Sequence, residues 1–115
     1  MPPKRNPLNL NALQLKTLTL LQELARAAGK PTTEEEDAGG LAITELPHAH
    51  GDHVHVGEAM VAARDATGLR NPSVWAALER KGLIRPKLPE AVILTALGQE
   101  YDTGLRDAIL HRAAH

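Results

Sequence analysis

The fold prediction starts from residues 68–84, which read GLRNPSVWAALERKGLI. Asn71 and Pro72 are a favourable pair for the N-cap and the first position of a helix. Gly82 favours the end of that helix. Three apolar residues share one side of it and are its predicted core positions: Val74, Ala77 and Leu78. The two apolar residues after the glycine begin a predicted strand.

Further elements are predicted on both sides of this helix. Asn11 and Gln14 have the spacing of a capping box and predict the start of the first helix. In chain order the predicted elements are a helix over 11–28, a short strand over 41–46, a helix over 57–67, the helix over 72–81, a hairpin with strands at 83–84 and 91–94, and a last helix after Thr95. That last helix is expected to present a stripe at four-residue spacing, made of Leu97, Tyr101, Leu105 and Ile109.

Two of these segments resemble a known family. Residues 68–84 look like the turn and recognition helix of winged-helix regulators of the MarR and PadR types. Residues 92–98, VILTALG, resemble the second wing strand running into the last helix of those proteins. The resemblance spans about residues 54–105. It implies a mainly α fold with a small β-wing, a winged helix-turn-helix with extra N- and C-terminal helices.

The resemblance also implies a function, a DNA-binding transcriptional regulator. A single module offers few phosphate contacts, so we expect a homodimer on double-stranded DNA, formed through the first and last helices. No small-molecule effector is indicated by the sequence.

Charge is segregated along the chain although the net charge is only -1. Residues 31–58 contain no Lys or Arg, whereas 1–30 and 59–90 are net basic. The acidic run Glu34–Asp37 is expected to be a solvated loop. The basic groups therefore concentrate at the amino terminus and on the predicted helix-turn-helix and wing.

The predicted DNA contacts lie on the exposed side of the 72–81 helix and its neighbours. They are Arg64, Arg70, Ser73, Arg80, Arg85 and Lys87. The two wing residues of this set, together with Arg64, would anchor phosphates. The other three would enter the major groove. Trp75 and Ala76 occupy positions where the family normally has groove-reading polar residues, and neither makes a bidentate contact to a base.

An alternative function is a protein-protein interaction module that does not bind DNA. Trp75 or the two-sided first helix would then dock a partner, since Leu15 and Leu18 fall opposite the main apolar stripe of that helix. A lone Trp in a small domain is mostly buried, which favours a core position for Trp75 over an exposed contact.

Four histidines lie within eight residues, and they predict a metal site or a pH-responsive cluster. They are His48, His50, His53 and His55. A type II′ turn at Gly51-Asp52 would project all four imidazoles from one face of a hairpin, where they suit Zn²⁺, Ni²⁺ or Cu²⁺. In a second geometry only the last two lie on a strand and the first two on a loop. A solvated polar loop is the third alternative.

Composition excludes several other classes. The 115 residues suggest one domain over 11–115, with a flexible basic tail over 1–10 and an acidic, histidine-rich insert over 31–52. Without Cys there is no disulfide, thiolate metal site or Cys nucleophile. Apolar runs are too short to span a bilayer, so a cytoplasmic protein without a membrane partner is expected. Ser73, the sole serine, has no candidate base near it in sequence, and no enzyme is expected.

Overall fold

The computed structural model describes residues 6–87 and 91–112. Its longest helix, α1, spans Ala12–Ala28. The predicted capping box forms at its start: the Asn11 side chain accepts from the Gln14 N–H at 2.8 Å, and the Gln14 side chain accepts from the Asn11 N–H at 2.9 Å. These bonds satisfy two donors that the helix itself cannot.

Three further helices and eight strands follow in the described residues. The helices are α2 (Pro72–Arg80), α3 (Ala96–Glu100) and α4 (Arg106–Ile109). The strands are β1 (Lys30–Pro31), β2 (Leu41–Ile43), β3 (Ala49–His50), β4 (His53–Val56), β5 (Ala59–Ala62), β6 (Ile84–Lys87), β7 (Ala91–Leu94) and β8 (His111–Arg112). They form two four-stranded antiparallel sheets. The first sheet has the order β1-β2-β7-β6 and the second sheet has the order β3-β4-β5-β8.

The hydrophobic core lies where α1 meets both sheets and α2. Leu18, Leu20 and Leu21 of α1 are fully buried, as are Val56 and Val61 of the second sheet. Leu18 lies on the second apolar side of the helix, and this chain alone buries it. The two-sided pattern of α1 is therefore explained by core packing within one copy.

The predicted fold class is wrong. The chain is mixed α/β, not mainly α with a small β-wing, and the expected helix-turn-helix lacks its first helix. Residues 57–67 instead contain β5 and a short 3₁₀ turn. Gly57, with φ +60°, closes a two-residue turn between β4 and β5. Strand pairing is favoured over a helix here because Val54 and Val61 face each other across this hairpin and are both buried.

The predicted long C-terminal helix is also interrupted. α3 ends at Glu100, and local side-chain bonds shape the turn that follows. The Asp102 carboxylate accepts from the Gly104 N–H at 3.1 Å, and the Thr103 hydroxyl accepts from the Leu105 N–H at 3.3 Å. Such bonds offer the backbone an alternative to a continuous helix. The chain then forms the short α4 and returns to the second sheet as β8.

Part of the expected amino-terminal tail contacts the domain, while residues 1–5 lie outside the described residues. Leu10 is buried, and the carbonyl of Leu8 accepts from Lys81 Nζ at 2.7 Å. The Tyr101 hydroxyl bonds both the Leu8 N–H and the Asn6 side chain.

Across the described part of the chain, no helix combines the length and the apolar character needed to cross a membrane.

Candidate functional site

Helix α2 positions the candidate site, and its start forms as predicted. The Asn71 side chain accepts from the N–H groups of Ser73 and Val74 at 2.9 and 3.4 Å, with Pro72 at the first helical position. The three predicted core residues of the helix are all buried: Val74, Ala77 and Leu78. Their packing fixes which side of α2 faces outward.

Trp75 is a core residue, as predicted, and it also forms the floor of a groove. Its side chain is 8% exposed, and its indole N–H donates to the Leu69 carbonyl at 3.1 Å. The groove beside it has a volume of about 430 Å³. It lies between α2, the segment after β2 and strand β6. Its lining residues are Leu46, Leu69, Arg70, Pro72, Trp75, Ala76, Glu79 and Pro86.

Arg70 stands at the rim of this groove. One of its terminal nitrogens, Nη2, donates to the Pro47 carbonyl at 2.9 Å and lies 3.3 Å from His48 Nδ1. These contacts fasten the segment before β3 to the start of α2. A guanidinium group carries five N–H donors in a planar fork. Because these contacts use only Nη2, donors on the other edge of the Arg70 guanidinium remain to bind a ligand.

Ser73 and Arg80 lie on the other flank of α2. Both are exposed, and their spacing of seven residues places them on one side of the helix. Arg64 is exposed on the 3₁₀ turn Ala63–Asp65. Neither arginine forms an ion pair with any residue that the structure describes.

Arg85 and Lys87 point away from α2. Side chains alternate along a strand, and Pro86 between them lines the α2 groove. The two cations therefore lie on the outer face of the first sheet. There Arg85 Nε lies 2.5 Å and Lys87 Nζ 3.4 Å from the carboxylate oxygens of Asp37. The predicted DNA contacts on β6 thus lie on a different face from those on α2.

Asp37 was missed as a site residue because the sequence placed it in a solvated loop. Its side chain is instead completely buried against the first sheet. The 3₁₀ turn Glu35–Asp37 brings the loop over that sheet, and Gly40 packs so closely on Ile93 that an added Cβ would lie 2.7 Å from Cγ2 of that side chain. The spacing of acidic residues gave no signal that separates Asp37 from Glu34 or Glu35.

The histidine hairpin forms at the predicted turn. His50 pairs with His53 across Gly51-Asp52, and Gly51 has the φ of +68° that a type II′ turn needs. The rings of His53 and His55 meet edge to face at 4.9 Å between centroids. His48 precedes the strand and contacts Arg70, while only the backbone of His50 is described. Over the described side chains, no three metal-binding groups converge.

No family model, curated protein or solved structure matches this chain. Membership of the MarR or PadR type therefore stays a prediction. Function has to be inferred from the chain's own residues, and the α2 groove and the cations around it are the features that carry it.

Proposed function

We propose that this chain is an interaction domain that binds an extended segment of another protein in the α2 groove. The groove itself carries the proposal. Its volume of about 430 Å³ is in the range of ligand-binding pockets, and its walls are mostly apolar. Pro72 and Ala76 are exposed on the helix that forms one wall, so a ligand could reach Trp75 without unfolding of the core.

The charges at the rim indicate what the partner segment carries. Arg70 and Glu79 are the charged groups of the lining, near opposite ends of α2. A carboxylate on the partner would bind the open edge of the Arg70 guanidinium, for which carboxylates are the matching ligands. The occupant is therefore a peptide with apolar side chains for the groove and an acidic residue beside them.

Trp75 provides the readout, because it is the sole Trp of the chain and lines the groove. Peptides that bind the full chain would be isolated from a random library, and their affinity would then be measured for Ala76→Arg, whose long side chain fills the groove. Selected peptides are expected to contain apolar residues and an Asp or Glu. They should change the fluorescence of Trp75 on titration and lose affinity for Arg70→Ala.

The matched control is Ala108→Arg, which adds the same side chain at an exposed alanine of α4. That variant should bind the selected peptides as the unmodified chain does. Peptides that bind the Ala76→Arg and Ala108→Arg variants equally well would refute the groove as the binding site.

DNA binding is the second candidate, and the free flank of α2 favours it. Ser73 and Arg80 are exposed there, and Arg64 adds a third polar group without an ion pair to the described residues. These exposed groups could contact phosphates, and they support a DNA-binding regulator that acts as a homodimer. Arg85 and Lys87, held by Asp37, would contribute less than the sequence suggests.

Fluorescence anisotropy with a mixed-sequence duplex at low salt separates the two candidates. DNA binding by the α2 flank predicts that Arg64→Ala and Arg80→Ala each weaken binding and lower its salt dependence. Arg85→Ala should weaken it less. A chain that binds no duplex at low salt would leave the interaction domain as the surviving function, and light scattering would decide the homodimer.

A further inference from the structure

A row of ligand-forming side chains crosses the outer face of the second sheet. In the strand register His55 stands opposite Met60, and Met60 stands opposite His111. Directly paired residues project to the same side, so all three lie on the face turned away from the core. His53 lies two residues before His55 on β4 and shares that face.

The sequence could not place His111 here. It is remote in the chain from the cluster of histidines and comes next to Met60 only because β8 returns to pair with β5. The opposite face of the same strands carries the buried Val54, Val56 and Val61, which fixes the register. Core packing on the opposite face thus fixes the positions of the residues in this row, although they are themselves exposed or half-buried.

The spacing suits one metal ion. Neighbouring strands lie about 5 Å apart, so His55 and His111 flank Met60 with about 10 Å between their strands. An imidazole reaches several ångströms beyond its Cβ, and an ion above Met60 lies within reach of both rings after rotation about side-chain bonds. The exposed positions of His55 and His111 leave room for that rotation.

We propose that this face binds a copper ion between the imidazoles of His55 and His111, with the Met60 thioether as a weak further ligand. Imidazole nitrogens suit Cu²⁺, and a divalent site of given ligands binds Cu²⁺ most tightly among the first-row metals. A thioether is a soft ligand of the kind that copper sites accept, so Met60 adds to the preference of the two imidazoles for copper. This site differs from a local one made of His48, His50, His53 and His55.

The test uses the full chain without a histidine tag, CuSO₄ as the probe and glycine as a weak competitor for copper. Calorimetry measures the dissociation constant, and electron paramagnetic resonance detects nitrogen ligands on the bound Cu²⁺. We expect one copper per chain. His55→Ala and His111→Ala should each weaken binding about tenfold or more. His48→Ala, a histidine on the loop beside Arg70, is the matched control and should change binding less than about twofold.

Three results would overturn the proposal. One is copper binding that His111→Ala leaves unchanged and His48→Ala weakens, which assigns the metal to the local histidines. Another is tighter binding of Zn²⁺ than of Cu²⁺ under the same conditions. The third is a chain that glycine strips of copper entirely. Thermal unfolding of each apo variant checks the fold, which these exposed substitutions should leave intact.

Discussion

The two sheets share one core but differ on their outer faces. The first sheet covers its outer face with the chain's own acidic loop: Ile93 is 4% exposed there, and Arg85 and Lys87 reach the buried Asp37. The second sheet leaves its outer face open, with His55 exposed and Met60 half-buried. Charged groups on the covered face contact the chain's own buried Asp37, whereas the open face presents His55 to solvent.

The largest expected effect concerns the covered face. Replacing both Arg85 and Lys87 by Met leaves the Asp37 carboxylate buried without its cations. Breaking a fully buried ion pair from one side costs about 3–5 kcal/mol, and the cost here lies at the lower end of that range because only the Asp37 side of the pair is fully buried. We expect a loss of that size in the free energy of unfolding, measured by urea titration with circular dichroism.

Two further variants test whether the buried charge is the cause. Adding Asp37→Asn to the double variant removes the orphaned charge and should recover most of the lost stability. Replacing the exposed Arg64 and Arg80 by Met changes the net charge equally and should leave stability nearly unchanged. A double variant at Arg85 and Lys87 that is as stable as this control would show that Asp37 does not depend on them.

The next effect compares apolar residues on the two outer faces. Ile93→Ala should cost about 2–4 kcal/mol, since the loop packed over Ile93 would lose its contacts and leave a cavity. Met60→Ala on the open face should cost under about 1 kcal/mol. Equal losses in the two variants would mean that both outer faces are covered to the same extent.

The same contrast separates what the sequence could predict from what it could not. Local signals were sufficient for the start of α1 at Asn11, the start of α2 at Asn71 and the histidine turn at Gly51. Each depends on side-chain or backbone preferences within a few residues. The sequence of the β4–β5 hairpin also predicts a helix, since Met60 and Val61 fit either period and Gly57 fits a helix start as well as a turn.

Long-range pairing was beyond local signals. Nothing near Asp37 in the sequence indicates that it is buried against Arg85 and Lys87, and nothing near His111 places it beside Met60. Both contacts depend on which strands become neighbours. The candidate groove was predicted only in part: the burial of Trp75 is expected of a lone Trp in a small domain, whereas Leu46 and Pro86 reach the groove through tertiary packing.

The smallest expected effect decides whether burial or overall charge holds the cations of the first sheet. Glu34 and Glu35 belong to the same acidic run as Asp37 but are exposed. If the loop attracted Arg85 and Lys87 through its summed charge, Glu34→Gln with Glu35→Gln would weaken the fold, and added salt would reduce the difference. Because exposed charges are screened and the buried Asp37 contacts both cations directly, we expect an unchanged urea midpoint at low and high salt. If the urea midpoint of the double variant falls at low salt and recovers at high salt, the summed charge of the loop, and not the buried Asp37, binds the loop to the sheet.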